Sequence, residues 1–131
     1  MPLLIEHVTM GLVKHSIVSI EGMGTDVAIG YLAVPPTGSG AGVIVLQEWW
    51  GLVPHIKSVA DWFAEAGYVT VAPDLFDGKQ TTAPDEAERL FMTLNIEQAA
   101  IKLQQTIEFL KSHEAVTTEK VGIVGFCMGG N

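Results

Sequence analysis

The last stretch of the chain reads Val121-Gly122-Ile123-Val124-Gly125-Phe126-Cys127-Met128-Gly129-Gly130-Asn131. A short apolar strand runs there into Gly-x-Cys-x-Gly-Gly, the pattern of a nucleophile elbow with a thiol where serine often stands. In such an elbow the residues two before and two after the nucleophile approach closely. Glycine is therefore needed at these positions, which Gly125 and Gly129 hold. The pattern predicts that Cys127 stands at the tip of a strand-to-helix turn, where a helix N-terminus favours its thiolate.

Length and composition suit one globular domain. The chain has 131 residues, of which 48 % are hydrophobic and 17 % charged, and its net charge of −8 argues against nucleic acid or an anionic membrane as a partner. The single cysteine excludes an internal disulfide and fits a reducing setting. With no signal-peptide pattern and no apolar run of membrane length, we expect a cytoplasmic protein. The sequence contains no metal-binding cluster, phosphate-binding loop or dinucleotide fingerprint, so we expect no metal and no cofactor.

Apolar runs and helical periodicity predict an alternating order of elements. Strands are predicted at 12–20, 27–34, 42–46, 68–72 and 120–126, and helices at 55–66, within 85–94 and from about 96 to 113. The helix at 55–66 is predicted to bury one face, made of Ile56, Val59, Ala60, Phe63 and Ala66, and to expose the other, made of Lys57, Ser58, Asp61 and Glu65. The last helix is predicted to bury the stripe Ile96, Ala99, Ala100, Leu103, Ile107 and Leu110. The first two strands are joined by a turn and pair antiparallel, and the later alternation requires right-handed crossovers. The sequence therefore predicts an α/β fold whose mostly parallel sheet is flanked by helices.

Ligand sites of such sheets lie beyond the C-terminal ends of the strands. Glu48, Asp74 and Cys127 all follow predicted strands there. Cys127 is either a buried structural cysteine or a nucleophile, and its flanking glycines favour the nucleophile. Glu48 is either an exposed loop charge or a functional carboxylate. Its place between a buried strand and two tryptophans favours a function, because a carboxylate in apolar surroundings needs a partner or a role.

Three stretches together resemble the dienelactone hydrolase family of the α/β-hydrolase fold. They are Val45-Leu46-Gln47-Glu48-Trp49-Trp50-Gly51-Leu52, Gly67-Tyr68 through Ala72-Pro73-Asp74-Leu75-Phe76, and Gly125-Phe126-Cys127-Met128-Gly129-Gly130. The resemblance covers the whole chain but only about the first half of a family member. It implies a single, partial α/β-hydrolase domain over residues 1–131, cut after the strand that bears the nucleophile.

The resemblance also implies roles for individual residues. Family members use a Cys-Asp-His triad, in which Cys127 matches the nucleophile while the aspartate and histidine come later than the end of this chain. Glu48 matches a glutamate that helps to activate the thiol, and the backbone N–H groups of Met128 and Trp49 match the oxyanion hole. The implied activity is hydrolysis of a small carboxylic ester or lactone. No role is assigned to the four histidines, His7, His15, His55 and His113.

Other residues near these positions keep two interpretations. Trp49 and Trp50 either line a pocket for the acyl or ring part of a substrate or pack in the core or as a cap. Lys79 attracts a substrate carboxylate or is a solvated lysine, and solvation is the commoner fate of a loop lysine. Asp74 is expected to brace its loop by hydrogen bonds rather than to act in the triad. Trp62 is expected to be structural.

Three hypotheses for function remain open at this point. The chain is the N-terminal part of an ester or lactone hydrolase, a noncatalytic product that binds small molecules or another chain, or a redox protein with a reactive thiol. Because its last strand would expose an apolar edge, we expect the chain alone to be marginally stable or insoluble. We also expect it to be inactive alone, since it lacks the triad's base. The oligomeric state is not predicted.

Overall fold

The computed structural model describes residues 12–20, 28–48, 50–76, 78–93 and 96–125. Within these ranges the chain forms five strands and three helices. They are β1 (Lys14–Ile20), β2 (Ala28–Val34), β3 (Gly42–Val45), α1 (Pro54–Glu65), β4 (Val69–Pro73), α2 (Pro84–Met92), α3 (Ile96–Ser112) and β5 (Gly122–Val124). The predicted order of strands and helices is confirmed, with ends that differ by a few residues.

The described strands form one mixed sheet in the order β1-β2-β4-β3-β5. β1 and β2 pair antiparallel, as predicted, and β2 pairs antiparallel with β4. β3 lies parallel to both β4 and β5. The chain crosses from β3 to β4 through α1, and then from β4 back past β3 to β5 through α2 and α3. This reversal of direction next to β3 is where α/β sheets place their ligand sites.

The two faces of the sheet carry separate apolar clusters, and β3 and β4 contribute to both because side chains alternate along a strand. All residues of β3 are buried, as expected of a continuous apolar run, and all residues of β4 are buried too, Thr70 included. The cluster on the α1 face contains Tyr31, Ala33, Val43, Val45, Leu52, Ile56, Val59, Ala60, Ala64 and Ala72. The cluster on the α3 face contains Ile20, Leu32, Ile44, Val69, Val71, Leu110 and Ala115.

Helix α1 packs mostly as its periodicity predicted, with exceptions at its end. Its buried positions include Ile56, Val59 and Ala60, whereas Ala66, predicted to be on the buried face, lies past the helix and is exposed. Trp62 is 57 % exposed and meets the His55 ring edge-on at a centroid distance of 6.2 Å. Trp62 is therefore not part of the core.

Helix α3 corrects the predicted apolar stripe. Leu110 is buried, but Gln105 and Thr106 are buried with it, while Ala100, predicted to be inside, is exposed. The hydroxyl of Thr106 donates to the Lys102 carbonyl oxygen at 2.7 Å, so its burial leaves no unpaired donor. Ala99, Leu103 and Ile107 are only half-buried. The C-terminal half of this helix makes the main contact with the sheet.

Strand β5 is shorter than predicted, covering Gly122–Val124 rather than 120–126. Phe126, at the end of the predicted strand, lies outside the described residues. None of the helices in the described ranges combines the length and the apolar character needed to cross a bilayer.

Candidate active site

The C-terminal ends of β3 and β5 lie side by side. The backbone N–H of Leu46 donates to the Val124 carbonyl oxygen at 2.8 Å, which carries the ladder one residue beyond β3. A Cβ added to Gly125 would lie 3.5 Å from the Leu46 side chain, an ordinary contact distance. The segment that leads to the predicted elbow therefore runs directly against the segment that leads to Glu48.

Glu48 occupies the first position of a tight turn between β3 and α1. Its carbonyl oxygen accepts a hydrogen bond from the Gly51 N–H at 3.1 Å, and the Gly51 carbonyl oxygen accepts one from Val53 at 2.9 Å. Gly51 has φ +98°, a conformation that side chains with a Cβ rarely adopt. The side chain of Glu48 is half-buried, between the two interpretations that the sequence left open.

Gln47 is a residue of this site that the sequence analysis did not identify. Its side-chain Oε1 accepts a hydrogen bond from the backbone N–H of Leu75 at 2.8 Å. This bond joins the chain just after β3 to the chain just after β4, past the last register pair of those strands, Ile44 and Val71. The sequence does show a polar residue, Gln47, directly after a buried strand. The function was nevertheless predicted for the neighbouring carboxylate, Glu48.

Asp74 braces its own loop, as the sequence predicted. One carboxylate oxygen accepts from the Phe76 N–H at 3.0 Å, and the other accepts from the Gly78 N–H at 2.9 Å. Both oxygens are therefore engaged by the turn that follows β4. The same turn carries the Leu75 N–H that binds Gln47.

The loop after β3 and the loop after β4 also pack against each other through their backbones. The Trp50 carbonyl oxygen accepts from the Thr81 N–H at 3.1 Å, and a Cβ built on Gly51 would collide with the Lys79 carbonyl oxygen. The Trp50 side chain is half-buried and that of Lys79 is exposed. The structure thus brings the two candidate substrate residues onto adjoining loops, and the exposure of Lys79 also suits a solvated lysine.

Four candidate residues lie outside the described residues: Trp49, Cys127, Met128 and Gly129. Their predicted roles as oxyanion donor, nucleophile, oxyanion donor and elbow glycine stay predictions. Across the ranges that the structure describes, His, Cys, Asp and Glu form no group of three or more that would hold a metal ion.

Comparison with known proteins connects this arrangement to a family. The sequence model of the Dienelactone hydrolase family matches residues 29–131. Protein usf of Aquifex pyrophilus is 39 % identical over 107 residues, covering 77 % of this chain and 46 % of the relative. The human carboxymethylenebutenolidase homolog is 30 % identical over 118 residues, covering 83 % of this chain and 47 % of the relative. The chain thus spans about half the length of the curated relatives it matches.

The solved structures agree on the fold. A crystal structure from Klebsiella pneumoniae, named "putative dienelactone hydrolase", superposes with a TM-score of 0.75 at 24 % identity, covering 88 % of this chain and 50 % of that one. At this identity the likeness shows the fold, which is of the α/β-hydrolase type. The family match extends over β3, β4 and β5 and the segments that follow them. The chain belongs to the dienelactone hydrolase family.

Proposed function

We propose that the intact protein hydrolyses small carboxylic esters or lactones, with Cys127 as the nucleophile and Glu48 as the carboxylate that controls the protonation of its thiol. Membership in a hydrolase family supports the reaction class. The proposed compartment is the cytoplasm, because a nucleophilic Cys127 must stay a free thiol, which suits a reducing environment.

The observation that carries this proposal is the register between β3 and β5. The ladder pairs Val45 with Val124, and it is parallel. Glu48 and Cys127 each follow their paired residue by three positions, which supports the proposal that both lie at the same edge of the sheet, where the crossovers reverse. A thiol and a carboxylate placed at neighbouring strand ends are suited to proton exchange.

The proposed reaction has two steps. The proton of the Cys127 thiol passes to a base, and the sulfur forms a bond to the acyl carbon while the C–O bond to the alcohol breaks. The leaving oxygen takes a proton, and for a lactone it stays attached to the acyl group. Water then adds to the thioester carbon, the C–S bond breaks, and the acid leaves with the thiol restored. The backbone N–H groups of Met128 and Trp49 are proposed to hold the oxyanion.

Glu48 is proposed to act on the protonation state of the thiol. An unperturbed thiol has a pKa of about 8.5, and a nearby carboxylate favours its neutral form. A carboxylate beside the sulfur would keep the thiol protonated at rest and accept its proton when a substrate displaces water. The half-buried position of Glu48 supports this role, because a partly desolvated carboxylate interacts more strongly with a neighbour than a fully solvated one.

The substrate is proposed to lie over the two packed loops, with Trp50 against its acyl or ring part and Lys79 toward any carboxylate it carries. The backbone contacts between these loops support a shared surface, since they fix Trp50 and Lys79 relative to each other. Gly125 and Gly129 are proposed to allow the close backbone approach of the elbow.

The test is hydrolysis of an activated aryl ester and of a lactone by the intact protein and its variants. We expect Cys127→Ala to lower kcat/KM by about three orders of magnitude or more, and Glu48→Gln to lower it by less. Thr118→Val, at the opposite end of the sheet, serves as the control and should keep wild-type activity. If Cys127→Ala keeps wild-type turnover, another residue is the nucleophile and the proposal is wrong.

A further inference from the structure

The chain after β3 is held on both sides immediately before Glu48. Leu46 is tied to β5 through its N–H bond to the Val124 carbonyl oxygen. Gln47 is tied to the end of β4 through its Oε1 bond to the Leu75 N–H. After Glu48 the turn closes on the Gly51 N–H. The three consecutive residues Leu46, Gln47 and Glu48 are thus each held by a hydrogen bond. Only the bond of Gln47 is made by a side chain.

The donor that Gln47 binds is itself fixed. Both carboxylate oxygens of Asp74 accept hydrogen bonds, from the N–H groups of Phe76 and Gly78, and these bonds shape the turn that carries Leu75. This turn leaves the Leu75 N–H free to face the end of β3 instead of closing on its own loop. The Gln47 side chain therefore continues the pairing of β3 and β4 where their backbone ladder has ended at Ile44 and Val71.

We propose that Gln47 is a positioning residue, which acts on the thiol by holding Glu48 at the end of β3 through its bond to the Leu75 N–H. The inference rests on the proposed function, because it requires that Glu48 influence Cys127. Loss of the bond would free the backbone on the β4 side and leave the Leu75 N–H without its partner. The carboxylate would then shift, and a displacement of about 1 Å is enough to alter such chemistry strongly.

The readout is made specific to Cys127 by following, with mass spectrometry, the alkylation of the peptide that contains it. The experiment measures the rate of alkylation of the intact protein by iodoacetamide from pH 5 to 9. The variants are Glu48→Gln, Gln47→Leu and their combination. Gln47→Leu keeps a similar volume and removes the acceptor. Gln47→Asn, which keeps the amide but shortens its reach, replaces it if the leucine variant does not fold.

The matched control is Thr118→Val. The Thr118 hydroxyl oxygen accepts from the Gly42 N–H at 3.3 Å, so this variant also removes a side-chain bond to the backbone of β3, but at the strand's far end. It reports what a general loosening of β3 does to the thiol. We expect its alkylation profile to match that of the wild type.

Glu48→Gln should move the midpoint of the alkylation profile to lower pH, because removing the carboxylate removes its preference for the neutral thiol. Gln47→Leu should move it in the same direction and raise the rate at pH 7 by about threefold to tenfold, where tenfold corresponds to one pH unit. In the Glu48→Gln background Gln47→Leu should have no further effect, as expected of two residues acting in series.

Each contrary result has a distinct meaning. If Glu48→Gln shifts the profile but Gln47→Leu does not, or if the Gln47 effect persists undiminished without Glu48, the positioning role is overturned and the proposed function stands. If Glu48→Gln itself leaves the profile unchanged, the proposed activation by Glu48 fails and the role of Gln47 fails with it.

Discussion

At the residue scale, the pair of Tyr31 and Asp61 links the sheet to α1. The Tyr31 hydroxyl donates to the two Asp61 carboxylate oxygens at 2.9 and 3.1 Å, and Tyr31 is 7 % exposed. Burial raises the pKa of Tyr31 to about 12 from its usual 10, and the hydrogen bond to Asp61 adds to the rise. The fold thus favours the neutral phenol, so this stabilisation is fully present below pH 10 and disappears as the pH rises through 12.

We expect Tyr31→Phe to lower the free energy of unfolding by about 1 to 2 kcal/mol at pH 8, because it removes a hydrogen bond to a charged, half-buried acceptor. The variant should also lose the fall in stability between pH 10 and 12. Urea unfolding of the intact protein at several pH values measures both effects. Tyr68→Phe, at a tyrosine that is 39 % exposed, is the control and should keep the wild-type dependence. If Tyr31→Phe still loses stability between pH 10 and 12 as the wild type does, this loss comes from other groups.

The sequence did not predict this pair, and the reason is geometric. Helical periodicity assigned Asp61 to the polar face of α1, whereas in the structure Asp61 is half-buried and binds the buried Tyr31 of the sheet. Periodicity gives the direction of a side chain around its own helix but not the strand that lies opposite. The partner Tyr31 is 30 positions away and becomes a neighbour only once α1 is laid on β2. Gln47 and Leu75 escaped prediction for the same reason.

At the element scale, the contact between the loops after β3 and β4 depends on one glycine. Gly51 combines φ +98° with the backbone of Lys79 and Gln80 at close range. Gly78 has a similar φ of +87° but open space where its Cβ would be. Both Gly→Ala variants would therefore strain the backbone by about 1 to 2 kcal/mol, and only Gly51→Ala would add a collision between loops.

We expect Gly51→Ala to destabilise the protein by about 1 to 3 kcal/mol more than Gly78→Ala, the range typical of forced overpacking. In the intact protein Gly51→Ala should also raise KM, because it pushes apart the loops proposed to carry the substrate. Chemical denaturation and steady-state kinetics of the two variants measure these effects side by side. Equal losses of stability in the two variants would show that the loops can move apart at this contact without cost, contrary to the prediction.

The burial of an element was predictable where the local pattern of apolar residues determines it. The burial of β3 follows from a continuous apolar run, and the buried stripe of α1 follows from apolar residues that recur at the helical period. The burial of α3 did not follow, because it depends on which part of the helix reaches the sheet. Gln105 and Thr106 are inside and Ala100 is outside, although apolar periodicity favours the reverse. Tertiary contact decides burial when a helix is only weakly amphipathic.

At the scale of the whole molecule, the strand order explains why distant motifs converge. Residues after β3, β4 and β5 are far apart in sequence, but parallel pairing brings their C-terminal ends to one edge. The convergence of Glu48, Asp74 and the approach to Cys127 was therefore predictable from element order alone. The finer geometry was not, since register and loop packing fix which backbone group each side chain meets.

The other consequence of this order concerns β5, which in the described part of the chain pairs with β3 alone. Its Ile123 is 51 % exposed, although the same strand is apolar throughout. An apolar strand with an unpaired edge is a template for pairing with another chain, and natural edge strands often carry a charge that prevents this. We expect the 131-residue chain to associate through β5 as its concentration rises.

Ile123→Lys should reduce this association, because a lysine on the edge strand must be desolvated when a second strand pairs there. Size-exclusion chromatography with light scattering over a range of concentrations measures the mass of each species. Ile101→Lys is the matched control, since Ile101 is 43 % exposed on α3, away from the sheet edge. Association that falls equally in both variants would reflect net charge alone. A wild-type chain that stays monomeric throughout would show that the edge of β5 is not an interface, whereas a loss confined to Ile123→Lys would assign the contact to that strand.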